Sequence, residues 1–90
     1  MPFEWDEAKR ENNLAKHGVD FRRAVQVFRG RVVERFDQRR NYGEMRIRCV
    51  GEIDGRAYVV IYTWRGPNRR IISARKANER ETRAYRANDA

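Results

Sequence analysis

The residues of this chain that could do chemistry are mostly arginines. The stretch from Arg69 to Arg86 gathers Arg69, Arg70, Arg75, Lys76, Arg80, Arg83 and Arg86 around two acids, Glu79 and Glu81. Upstream, Arg46 and Arg48 stand two residues apart. A guanidinium presents a planar fork of donors that matches a phosphate, and it also stacks on bases. A cluster of them would hold a phosphate while negative charge develops on it. Proton transfer needs other groups, and the sequence offers His17, the one histidine, and Glu81. His17 precedes Gly18 at an expected helix end, where an imidazole commonly meets the last carbonyls. Glu81 reads first as a helix cap or as an ion-pair partner that orients Arg75, and only second as a base. There is no Walker loop, no Gly-rich dinucleotide fingerprint and no Cys/His metal spacing, so neither a cofactor nor a metal is expected.

Charge sets the class of partner. The 90 residues carry a formal net charge of +8, with 18 arginines against 3 lysines. A GC-rich genome would favour arginine codons, but codon bias does not account for the net excess. The excess sits between Phe21 and Arg75, whereas Met1 to Asp20 is net acidic. A basic middle of this kind suits a polyanion or an acidic protein. The length predicts one domain with a modest core. The N-terminal "MPFEWDEAKR" is acidic and polar rather than a signal peptide, and no apolar run is long enough to span a membrane. Cys49 is alone and, between Ile47 and Val50, reads as a small core residue; a cytoplasmic location is expected.

These side chains need elements to position them. A first helix is predicted from about Asp6 to Lys16, capped by Asp6 and stopped by Gly18, with Trp5, Ala8, Leu14 and Ala15 as its apolar side. A second is predicted from about Asp20 to Phe28. Four strands follow: "VVERF" from Val32 to Phe36, then, after the polar loop "DQRRNYGE", "MRIRCVGEI", "RAYVVIYTW" and "RRIISAR". Asp54-Gly55 signals a two-residue hairpin. Asn78, three residues before Glu81, predicts a capping box for a final helix carrying Tyr85. The expected fold is α+β: two N-terminal helices, a four-stranded antiparallel sheet and a C-terminal helix, with the helices on one face.

The hairpin assigns faces. Pairing Ile53 with Arg56 places Arg48 opposite Ile61 and Arg46 opposite Thr63, so these four share a face. Met45, Ile47, Cys49, Val60, Tyr62 and Trp64 share the other, expected to be the core face. Arg46 and Arg48 would then lie on a sheet face that no core covers, which also suits an ordinary polar surface. The last strand has two possible registers. One puts Arg70, Ile72 and Ala74 on the face of Thr63; a slip of one puts Ile71, Ser73 and Arg75 there. Arg80, Arg83 and Arg86 read as the solvated side of the last helix.

Three blocks together carry a resemblance: "FEWDEAKRENNLAKHGVDF" from Phe3 to Phe21, Arg46 with Gly51, and "IISARKANERE" from Ile71 to Glu81. In this order they resemble the BrnT toxins of type II toxin–antitoxin modules, over nearly the whole chain. The resemblance implies a RelE-like ribonuclease fold, inhibition of translation through RNA cleavage, and neutralisation by a small BrnA-type antitoxin. It implies that operator DNA is bound only through the antitoxin complex, and that the toxin forms a homodimer within a heterotetramer. Carried over by position, the resemblance marks Arg46, Arg65, Arg75 and Glu81 as catalytic candidates and His17 as an RNA-binding candidate; Arg48 and Arg70 join it as RNA-binding candidates from the strand faces, not from positions fixed in the family. The C-terminal helix with its tail "RANDA" departs from the family pattern and bears on antitoxin pairing. The leading expectation is a metal-independent endoribonuclease that uses the 2′-hydroxyl of its RNA as nucleophile. The alternatives are a non-catalytic basic module that binds nucleic acid, and a basic groove built only for an acidic antitoxin segment.

Overall fold

Each element begins or ends where local chemistry dictates. The computed structural model describes residues 2–38 and 43–88; the middle of the expected polar loop and the last two residues of the tail lie outside them. After a short strand β1 (Phe3–Trp5), helix α1 (Glu7–His17) starts at Asp6, whose side chain accepts from the Lys9 N–H. It stops at Gly18, which takes a left-handed φ of 70° that a side chain would resist. Asp20 likewise caps α2 (Phe21–Ala24), which tightens into a 3₁₀ turn over Val25–Arg29. Strands β2 (Val32–Phe36), β3 (Ile47–Ile53), β4 (Arg56–Arg65) and β5 (Asn68–Lys76) follow, and helix α3 (Glu79–Ala87) closes the chain. Asp54 and Gly55 both have positive φ, 50° and 79°, as the two-residue hairpin requires.

The sheet has five strands in the order β1-β5-β4-β3-β2, not four. Three pairs are antiparallel, and β1 lies parallel to β5 with Glu4 beside Arg70 and Trp5 beside Ile71. The expected purely antiparallel sheet is therefore corrected to a mixed one. Three residues are too few to show an alternating pattern, so "FEW" carries no strand signal of its own.

The β3–β4 register is the expected one, with Ile53 on Arg56 and Arg48 on Ile61. The β4–β5 register contains both alternatives. Thr63 pairs with Arg70, but a bulge at Ile72 shifts the phase, so that Ile61 pairs with Ser73 and Val59 with Arg75. Arg70, Ser73 and Arg75 thus all lie on the face of Arg48.

Both faces of the sheet are covered, which corrects the expected one-sided packing. Phe21, Ala24, Val27, Cys49, Val60, Tyr62, Ile71 and Ala74 form the larger core, joined by Phe3, Trp5 and Phe28. A smaller cluster of Val50, Ala57, Val59, Ile61, Ala77 and Tyr85 lies under α3 on the other face. Tyr85 is buried, and its hydroxyl donates to the Arg31 carbonyl at 2.9 Å. Met45 and Trp64, expected in the core, are 66% and 48% exposed, because they lie at the sheet end beyond the 3₁₀ turn's cover.

Helix α1 packs differently from the amphipathic reading. Ala8, Leu14 and Ala15 face solvent, while Arg10, Asn13 and His17 turn inward. Asn13 is buried and takes the place of a neighbouring strand. Its Nδ2 donates to the carbonyls of Val19 and Ala74 at 2.9 and 2.8 Å, and its Oδ1 accepts from the Ala74 N–H at 3.1 Å. A buried amide with these bonds replaces apolar packing, which is why hydrophobic periodicity misassigned the face. Gly51 marks another close approach: a Cβ there would sit 2.8 Å from the Val27 Cβ, so the 3₁₀ turn crosses β3 only because position 51 has no side chain.

Candidate functional site

Glu81 organises the site. It is the third residue of α3, and the capping box with Asn78 fixes its backbone and its side chain together. Its Oε1 accepts from the Asn78 N–H at 2.9 Å and from Arg75 Nη1 at 2.8 Å; its Oε2 accepts from Arg75 Nη2 at 2.8 Å and from Arg48 Nη2 at 2.7 Å. Arg75 therefore meets the carboxylate as a two-bond fork, and Arg48 closes on it from the next strand but one. These contacts, the Arg75 fork first, lower the Glu81 pKa from 4.5 to about 2. With its oxygens engaged and its proton affinity so low, Glu81 is an anchor for two guanidiniums and a poor base.

The cluster borders a cleft of about 480 Å³ between α3 and the β2–β3 edge of the sheet. Val33, Val50 and Tyr85 give it an apolar floor, and Arg35, Arg48, Arg80 and Glu81 line it as well. Arg35 stands directly across from Arg48 on the neighbouring strand. Like charges opposite each other destabilise a sheet. Among the described residues, neither Arg35 nor Arg80 has an ion-pair partner. Glu81 thus holds Arg48 and Arg75, while Arg35 and Arg80 line the same cleft as Arg48 and Glu81, an excess of positive charge that a bound anion would balance.

The other expected residues are placed apart from this cluster. Arg70 donates to Glu4 at 2.8 Å, and Asn68 to the same carboxylate at 3.1 Å. These two bonds, Asn68 first, lower the Glu4 pKa, with Arg65 adding to the positive field there. Arg65, Arg70 and Glu4 form a second cationic group at the opposite end of the same face. Arg46 precedes β3, and its Nε donates to Glu44 at 3.2 Å. His17 ends α1, which packs along β5, and no hydrogen bond or ion pair among the described residues joins it to Glu81. Cys49 is fully buried, and burial pushes its thiol up to about 12. Among the described residues no group of three His, Cys, Asp or Glu side chains converges.

Arg35, Arg80 and Glu4 do not stand out in the sequence as site residues. Arg35 alternates with Val33 in "VVERF", a signal for its face, but the long β2–β3 loop hides its register against Arg48. Arg80 reads as part of the solvated side of α3, and it does stay exposed while lining the cleft. Arg83 and Arg86 fit the solvated reading, exposed and paired with Glu79 and Glu52.

Fold and cleft together define a small basic α+β domain with an arginine-lined face. The family model described as "Ribonuclease toxin, BrnT, of type II toxin-antitoxin system" matches residues 5–81. The chain belongs to this BrnT family, and a type II toxin has an antitoxin as its partner. No curated protein matches the chain. No helix among the described residues is long and apolar enough to cross a membrane.

Proposed function

We propose that this toxin is a metal-independent endoribonuclease that cleaves mRNA in the cytoplasm, stops translation, and is neutralised by a BrnA-type antitoxin in a heterotetramer containing a toxin homodimer; operator DNA is bound only through that complex. The observation that carries the reading is the surplus of guanidiniums around Glu81. Arg48 and Arg75 are held in place by the carboxylate, and Arg35 and Arg80 stand beside them without an ion-pair partner among the described residues. In this reading the RNA 2′-oxygen attacks the adjacent phosphorus as its proton is lost. The 5′-oxygen leaves and takes up a proton, giving a 2′,3′-cyclic phosphate and a 5′-hydroxyl end. Arg48 and Arg75 stabilise the extra charge on the phosphoryl oxygens. Glu81 is a positioning residue, and Arg46, Arg65 and Arg70 track the RNA backbone.

The test is RNA cleavage by the purified chain in excess chelator. Cleavage with cyclic-phosphate ends is expected, with losses of roughly 10²- to 10³-fold in Arg48→Ala and Arg75→Ala. Intact RNA in chelator, with both variants as growth-inhibitory as the parent, would sink the proposal. A second reading, a non-catalytic RNA-binding module, draws on the low proton affinity of Glu81 and on its having no hydrogen bond or ion pair with His17 among the described residues. It predicts salt-sensitive binding without new RNA ends.

A further inference from the structure

Trp64 is an exposed ring held rigidly from within. It lies near the end of β4, 48% exposed. The Arg69 guanidinium sits over it, 4.7 Å from the ring centroid, and Tyr62 meets it edge-on at 5.8 Å and 84°. Arg69 is itself fixed, stacked at 4.3 Å over Phe28 as well, and its Nε is buried without a hydrogen bond. Trp64 lines an open cleft of about 610 Å³ with Phe36, Glu44, Met45, Ile47, Thr63 and Arg65, and Glu44 is paired with Arg46. Phe36 and Met45 are 59% and 66% exposed.

We infer that this cleft is a base-stacking subsite for single-stranded RNA, in which a nucleobase lies on Trp64 and Arg65 meets the adjoining phosphate. Three observations favour that occupant. The cleft is mostly apolar, its one carboxylate, Glu44, is paired with Arg46, and it belongs to a chain of net charge +8, so a polyanion with flat apolar faces matches it better than an apolar peptide. The platform is preorganised by Arg69 and Tyr62, so little side-chain freedom is lost when a base settles on it. Neighbouring strand residues point to opposite faces, so Trp64 and Arg65 at the sheet end offer a stacking surface beside the cationic face. Stacking of this kind tolerates any base, because every base has a π-face. The subsite rests on the RNA reading above and extends it to how the strand is gripped.

The test is binding of a 2′-O-methyl oligoribonucleotide, which lacks the 2′-hydroxyl nucleophile, and of its abasic counterpart, to the parent chain, Trp64→Ala and Trp64→Phe. The expected result is a loss of roughly 5- to 100-fold for Trp64→Ala with the base-bearing strand, a smaller loss for Trp64→Phe, and no loss with the abasic strand. The slope of affinity against salt should not change, since the phosphates stay engaged. Equal affinity of parent and Trp64→Phe and Trp64→Ala for the base-bearing strand overturns the subsite, as does an equal loss on both strands. Unchanged RNA binding with lost antitoxin binding, or with lost self-association, assigns the cleft to a protein partner and also overturns it. If the parent binds neither strand, the RNA reading fails with it. If the parent cleaves RNA but Trp64 is indifferent, only the subsite fails. Should Trp64→Ala not fold, Trp64→Phe decides by the same comparison of strands.

Discussion

Glu81 couples the stability of the fold to the geometry of its arginines. Its folded pKa, about 2, lies below the usual 4.5, so the unfolded chain binds the extra proton as pH falls. The associated stability is fully present above about pH 4.5 and is lost progressively as pH drops toward 2. The gap is worth about 2–3 kcal/mol for a side chain this well covered. Denaturant titrations between pH 2 and 6 should show this slope in the parent and a flatter one in Glu81→Gln, which keeps the cap but loses the charge. A slope unchanged in the variant would mean that other carboxylates set the acid limit. Cys49 gives a second residue-level expectation. A buried thiol raised to about 12 is almost entirely protonated near neutrality, so the folded chain should resist thiol reagents and react only on unfolding.

At the scale of elements, two polar or missing side chains hold what apolar patterning would be expected to hold. Asn13→Ala should cost about 2–3 kcal/mol in urea unfolding, because the Ala74 backbone loses its partner at the β5 edge. Gly51→Ala should cost roughly 1–3 kcal/mol, since a Cβ would press on Val27 and push the 3₁₀ turn off the sheet. What could be read in advance divides along the same line. The Asp54-Gly55 hairpin, the Asp6 and Asn78 caps and the Arg48–Ile61 register were legible, because each rests on chemistry a few residues long. Strand β1 was not, since "FEW" becomes a strand only when the β5 edge is there to pair with. The inward side of α1 was not either, because Asn13 is satisfied by a strand distant in sequence. The partnership of Arg75 with Glu81 was visible from the sequence, whereas Arg35 and Arg48 met only through a register hidden by a long loop.

For the whole molecule, the net charge of +8 and the two cationic groups on one face set how it would meet RNA. Affinity for a single strand should fall steeply with salt. Replacing Arg48 or Arg75 by Ala should flatten the plot of log affinity against log salt by roughly 0.7 for each phosphate that the variant no longer neutralises. A slope identical to the parent's would remove these two arginines from the interface. Helices on both faces also make the C-terminal one indispensable. Removing α3 would uncover Val50, Val59 and Ile61 and free Arg48 and Arg75 from their anchor at once.

The bulge at Ile72 has a consequence for length rather than for composition. Arg70 and Arg75 are five apart, an odd step that in a regular strand sends two side chains to opposite sides. One extra residue between them makes the step behave as even. Deleting Ile72 would therefore leave a step of four in a regular strand, and both arginines would keep their shared face. If instead Ile72 were kept and the strand straightened, with Arg75 still beside Glu81, Arg69 would rotate out to the open face and Arg70 would turn in against Phe28, Tyr62 and Trp64. The bulge thus decides which of two adjacent arginines faces outward, without either being mutated.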